Sequence, residues 1–260
     1  NPDFSDAYNN MGVALKDIKK VDEAIKCYEK AIKLNSNYAD AHYNLGTAQK
    51  ELGKLDSAID SFDRALQIKP DYTAAMNNKA LTELAKGNYK SAISLYTDIL
   101  KITPDNPEAK NNMGMALQEA GSLEAAFQKY KQAAEQKPDY VEAHINIANV
   151  FKNKGDFDSA RKAYEVVLKL NANQAEAKHL FAALSGITTP TAPKEYVEKL
   201  FDQYAAKFEK MLTEQLEYQI PKLIHQKLFK NIEPDGLSKV LDLGCGTGLV
   251  GQEIKGFCSS

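Results

Sequence analysis

The stretch ADAHYNLGTAQKELGKLDSAIDSFDRALQIKPDY, residues 39–72, decides how the rest of this chain is read. It reads as two short helices, broken at Gly53 and closed by Pro70. Shifted by 34 residues in either direction, the same pattern returns from Ser5, Thr73, Pro107 and Val141, without an insertion. The twentieth position is alanine in all five copies (Ala24, Ala58, Ala92, Ala126, Ala160), and four residues later stands an aromatic (Tyr28, Phe62, Tyr96, Tyr130, Tyr164). The eighth position is always small: Gly12, Gly46, Ala80, Gly114, Ala148. The fifteenth is Lys19, then Gly53, Gly87, Gly121 and Gly155, and Pro70, Pro104 and Pro138 close three of the five units.

Each of these choices has a physical cause. Small residues let the two helices of a unit approach closely, and the aromatic fills the space between one helix pair and the next. Glycine after the first helix supplies a left-handed turn. Asp22, Asp56 and Asp158, with serine and asparagine nearby, are expected to cap the second helix, and proline to stop it. Two short helices cannot bury an apolar face alone, so the units must stack into a solenoid.

The pattern closely resembles the tetratricopeptide repeat family over about two thirds of the chain. It implies a mainly all-α superhelical solenoid of antiparallel helix pairs, with repeats at 5–38, 39–72, 73–106, 107–140 and 141–174. The first copy departs most, with Lys19 for glycine and Ser36 for proline. Residues 1–4, NPDF, read like the closing positions of a preceding repeat and lack an initiator methionine, so the chain is expected to be cut at its start.

Stacked repeats present a concave groove lined by their first helices. Its sixth position is asparagine in every unit: Asn10, Asn44, Asn78, Asn112 and Asn146. An asparagine amide both donates and accepts, so a ladder of them can hold an extended peptide by its backbone. Such ladders are known in peptide-gripping members of the family, including sugar-transferring enzymes with long repeat arrays. The same amides can equally bond within or between helices, and both roles stay open. At the fifth and twelfth positions stand Asn9, Tyr43, Asn77, Asn111, Ile145 and Lys16, Lys50, Leu84, Gln118, Lys152, without the basic set that clamps a terminal carboxylate in some relatives. His42 and His144, at the fourth position, read as packing groups.

After the fifth unit, AEAKHLFAALSG (175–186) is expected to form a helix that caps the solenoid, and ITTPTAP (187–193) a linker. Residues 194–260 hold aromatic helical spacing at Tyr196, Leu200, Phe201, Tyr204 and Phe208, and then VLDLGCGTGLVG at 240–251. The latter reads as a strand, a glycine-rich loop and a helix start. Gly246, Gly248 and Gly251 also fit a dinucleotide fingerprint. The order Asp-x-Gly-x-Gly-x-Gly resembles the first motif of class I S-adenosylmethionine-dependent methyltransferases. By that resemblance Asp242, Gly244, Cys245, Gly246 and Gly248 bind S-adenosylmethionine, at the opening of a Rossmann-like α/β domain. Too few residues follow to complete such a sheet, so the chain is expected to be cut at its end as well and inactive as it stands. No catalytic residue is assigned. The resemblance implies repeats that recruit a protein or peptide acceptor to a methyltransferase. The alternatives are a general assembly scaffold on an enzyme that methylates a small molecule, or a protein-binding module alone.

The whole-chain balance narrows the partners. With 33 basic and 35 acidic residues, a formal charge of −2, there is no basic surplus for nucleic acid. No apolar run is long enough for a membrane span. Three scattered cysteines and four histidines form neither a disulfide framework nor a metal-ligand spacing, so a reduced, cytoplasmic, metal-free protein is expected.

Overall fold

The computed structural model of the protein describes residues 2–187, 192–194 and 196–198. The regular structure there is helical: α1 (Pro2–Asp17), α2 (Val21–Leu34), α3 (Ala39–Glu51), α4 (Leu55–Ile68), α5 (Thr73–Ala85), α6 (Tyr89–Ile102), α7 (Pro107–Glu119), α8 (Leu123–Gln136), α9 (Val141–Asn153), α10 (Phe157–Leu170) and α11 (Ala175–Leu184). Each helix packs on the next, α1 also touches α3, and α3 touches α5, which is the contact pattern of a solenoid of helix pairs. α11 packs on α10 and buries Ala177, Leu180 and Ala182. The strand, loop and helix read at 240–251 lie outside the described residues.

One ring per unit forms the core. Tyr28, Phe62, Tyr96, Tyr130 and Tyr164 are completely buried, as are the alanines four residues before them. A Cβ placed on Gly12, Gly46 or Gly114 would stand 2.5, 2.7 and 2.5 Å from a ring carbon of Tyr28, Phe62 and Tyr130, closer than van der Waals contact allows. The ring therefore lies over the eighth position of its own unit as well as reaching the next. Tyr28 shares a cluster with Leu45 and Ala48 of the second unit, and Tyr130 with Val150 of the fifth.

The first helix of every pair ends in the same way. At Gly53 (φ 72°) the glycine N–H bonds to Lys50 O at 3.0 Å, and the next N–H, on Lys54, to Gln49 O at 2.9 Å. This pair of bonds across a left-handed residue is a Schellman turn, and it recurs at Gly87, Gly121, Gly155 and Gly186. Lys19 adopts it too, at φ 65°, with Lys19 N–H to Lys16 O and Lys20 N–H to Leu15 O both at 2.9 Å. Tertiary geometry thus imposes the turn even on a residue whose Cβ opposes it.

Two expectations about helix ends need correction. The second helices start at Lys20, Lys54, Asn88, Ser122 and Asp156, and of these only Asp156 caps with its side chain, accepting from Ser159 N–H. Asp22, Asp56 and Asp158 sit within the first turn, where they complement the helix dipole instead. Proline is not what stops these helices. α2 and α10 lack it, yet end at the position where α4, α6 and α8 end, two residues before Pro70, Pro104 and Pro138. In the proline-free units Asn35 and Asn171 hold the exit with an Asx turn, their Oδ1 accepting the N–H of Asn37 and Asn173 at 3.1 and 3.0 Å. At the start of α1, Pro2–Phe4 are helical, whereas Pro70–Tyr72 lie in the turn between α4 and α5. Proline is preorganised for the first positions of a helix.

Relieving the strain at residue 19 should stabilise the solenoid. Lys19→Gly is expected to gain about 0.5–1 kcal/mol in urea unfolding, the left-handed penalty less glycine's extra chain entropy. Lys19→Ala, which loses the same exposed contact to Glu51, should show no gain.

Candidate peptide-binding face

The five asparagines at the sixth position lie on α1, α3, α5, α7 and α9, and four of them are tied to the repeat before. Asn44 Nδ2 donates to Asn9 Oδ1 at 2.9 Å, Asn78 Nδ2 to the Tyr43 hydroxyl at 3.2 Å, Asn112 Nδ2 to Asn77 Oδ1 at 3.4 Å, and Asn146 Nδ2 to Asn111 Oδ1 at 2.9 Å. The acceptor is always the fifth-position residue of the preceding unit, 35 residues back. Asn9 and Asn111 are buried, so these bonds satisfy groups that water does not reach. The last pair in the same register is apolar on both sides, Ile145 before Leu180.

The rungs differ in what remains. Asn10 is exposed and its side chain has no partner among the described residues. Asn44 and Asn146 each spend one N–H and keep a second N–H and the carbonyl. Asn112 accepts from Asn111 Nδ2 at 3.4 Å. Asn78 is fully engaged: its amide donates to Tyr43 and to Ala74 O, both at 3.2 Å, and its carbonyl accepts from Lys50 Nζ at 2.6 Å.

Tyrosines brace one rim of this face. Burial, then Asp6, pushes the Tyr38 hydroxyl up to about 12. Burial and then the Asp40 carboxylate raise the Tyr72 hydroxyl as well. Tyr43 stacks against Tyr72 at 5.1 Å and Phe62 at 6.2 Å between ring centres. The two histidines flanking this rim each bond a backbone carbonyl six residues earlier, His42 to Ser36 O at 3.1 Å and His144 to Pro138 O at 2.9 Å. They fix the turn between repeats. No cluster of potential metal ligands occurs among the described residues, and none of their helices is long and apolar enough to cross a membrane.

Comparison with known families agrees with this geometry. Four family profiles, described as TPR repeat or tetratricopeptide repeat, match residues 15–53, 39–72, 77–141 and 117–184. The chain is a tetratricopeptide-repeat protein. No curated protein matches its sequence. Among solved structures, MamA residues 41 to the end from Desulfovibrio magneticus is similar, at 22% identity and a TM-score of 0.62, covering 66% of this chain and 97% of its own. YrrB, described as a tetratricopeptide-repeat protein with an unusual peptide-binding site, has 22% identity and a TM-score of 0.56 over 66% of this chain and 89% of its own. A thermophilic tetratricopeptide-repeat protein of Thermus thermophilus has 21% identity and a TM-score of 0.54, with 70% and 100% coverage. At these identities the likeness establishes the fold.

Asp242, Gly244, Cys245, Gly246 and Gly248 lie outside the described residues. Within them, sequence reasoning found the asparagines but missed their acceptors. The signal was present at the neighbouring position, which is Asn, Tyr, Asn, Asn wherever an asparagine follows one unit later, and Ile where Leu180 does.

The bonds make a direct contrast for mutagenesis. Asn111→Ala strands the Asn146 amide and should cost about 1–3 kcal/mol in urea unfolding, whereas Asn10→Ala should stay within about 0.5 kcal/mol.

Proposed function

We propose that the face formed by α1, α3, α5, α7 and α9 holds an extended protein segment by its backbone. The observation that carries this is the set of amide groups left over after the repeat-to-repeat bonds, at Asn44 and Asn146. An amide with one N–H and its carbonyl free can pair with a peptide N–H and C=O as a neighbouring strand would. The bonds to Asn9 and Asn111 hold Asn44 and Asn146 in place beforehand, so little side-chain entropy is lost on binding. YrrB, of the same fold, is described as having a peptide-binding site, which favours this use of the face. Asn78 is a spacer in this scheme, since both its N–H groups are spent and its carbonyl already accepts from Lys50.

A second reading concerns residues 240–251. The sequence VLDLGCGTGLVG supports a methyltransferase domain attached to the repeats, with Asp242, Gly244, Cys245, Gly246 and Gly248 toward S-adenosylmethionine. The cofactor would supply an electrophilic methyl group, and the repeats would bring a protein or peptide acceptor to it. In the rival arrangement the repeats only assemble partners and the acceptor is a small molecule.

Both readings are open to direct tests. Capped decapeptides of extended sequence should bind the 260-residue chain, and N-methylation of their backbone should abolish binding. The pair Asn44→Ala with Asn146→Ala should weaken it by about tenfold or more, two lost hydrogen-bonding groups at roughly 1 kcal/mol each. Equal binding of N-methylated peptides would remove the backbone grip. For the second reading, calorimetric titration should show S-adenosylmethionine binding to the full-length natural protein and none to its Gly246→Asp variant, whose carboxylate would fill the loop.

A further inference from the structure

The fully occupied rung at Asn78 marks a second kind of site on the same face. Lys50 reaches across from α3 in the second unit and places its ammonium 2.6 Å from Asn78 Oδ1 on α5. Asn78 is itself fixed by Tyr43 and Ala74, and Tyr43 by Tyr72 and Phe62, so the ammonium is anchored through a chain of ordered groups. Lys16 occupies the equivalent position one unit earlier, on α1, which touches α3. Both lysines are half-buried, and among the described residues neither has an acidic partner. Burial and then Lys16 lower the Lys50 ammonium below its ordinary value, consistent with two like charges facing each other in a partly desolvated place.

No acid of α1 or α3 pairs with either lysine among the described residues. Asp6 and Asp40 lie in the first halves of α1 and α3, where their charges act on Tyr38 and Tyr72. Glu51 lies exposed beside Lys19, and Asp17 is exposed at the end of α1. The cost of holding two uncompensated cations in a half-buried groove falls when an anion arrives between them. The other half of the face has no such pair, because the equivalent residues there are Leu84, Gln118 and a single Lys152.

We infer that Lys16 and Lys50 form an anion-recognition site that selects an acidic side chain, aspartate or glutamate, in the segment lying along this face. This rests on the backbone-binding reading above and adds sequence preference to it. The asparagine amides supply a grip indifferent to side chains, and the lysine pair fixes which stretch is held and in which register. Lys50 is presented by Asn78, so Asn78 acts as a positioning residue.

A capped, degenerate decapeptide library passed over the immobilised 260-residue chain tests this, with captured peptides sequenced by mass spectrometry. The wild type should enrich Asp and Glu about threefold or more over the input, a preference that fades at high salt. A chain with Lys16→Gln and Lys50→Gln should capture peptides without that enrichment, while circular dichroism shows the same helix content. Asn78→Ala should reduce the enrichment and leave total capture in place. Capture by the wild type with no acidic preference would overturn the lysine site and leave the backbone grip standing. Absence of any capture would overturn both.

Discussion

The spacing of this solenoid depends on a buried ring packed against the small residue of the first helix, in three of five units so closely that a Cβ has no room. In three units the aromatic of the second helix sits against a glycine of the first, at a separation that no larger residue permits. In the other two, Ala80, Ala148, Tyr96 and Tyr164 are completely buried, and Ala80 shares a core cluster with Tyr96. The contact sets how closely the helices of a pair approach. It also places the far edge of each ring against the next pair, as Tyr28 against Leu45 and Ala48 shows. Repeating the contact every 34 residues repeats the spacing between units, and the first helices inherit a common alignment from it.

That alignment makes the sixth-to-fifth-position bonds possible. Hydrogen bonds 35 residues apart in sequence can recur only if successive first helices keep one offset. Salt bridges repeat the theme on the connecting turns. Lys86 pairs with Asp56, and Lys154 with Glu124 at 2.7 Å, each joining the end of a first helix to the preceding second helix. These surface pairs contribute little energy singly. The buried amide bonds matter more, because an asparagine left unpaired beneath this face would be costly. The face is therefore ordered before any partner arrives, which suits a surface that recognises an extended segment.

Much of this was legible in the letters. Glycine at position fifteen and the pairing of a small residue with an aromatic announced both helices and their turn. The structure adds what single-residue preferences hide. Lys19 was read as a weakening of the motif, yet the turn survives it, because neighbouring packing outweighs about 1 kcal/mol of backbone strain. Proline was credited with ending the second helices, although Asn35 and Asn171 reach the same end by a side-chain bond. The capping role given to Asp22, Asp56 and Asp158 failed by two residues, a shift too small for composition to resolve. As for the asparagine ladder, its uniformity in sequence concealed a difference in chemistry: Asn78 is held by Lys50, Tyr43 and Ala74, while Asn44 and Asn146 each donate to a single asparagine. Partner identity at position five, read across two units at once, is what separates them.

The ring-over-glycine contact can be examined by a double-mutant cycle on Gly114 and Tyr130, followed by urea unfolding. Gly114→Val in the natural background forces a branched side chain into the space of the Tyr130 ring and should cost about 3 kcal/mol, the upper range for overpacking. In a Tyr130→Ala background the same change should cost at least about 1 kcal/mol less, since the space is then empty. A coupling of that size and sign would establish that the ring dictates the small residue. An equal cost of Gly114→Val in both backgrounds would contradict it, and would place the origin of the repeat spacing elsewhere.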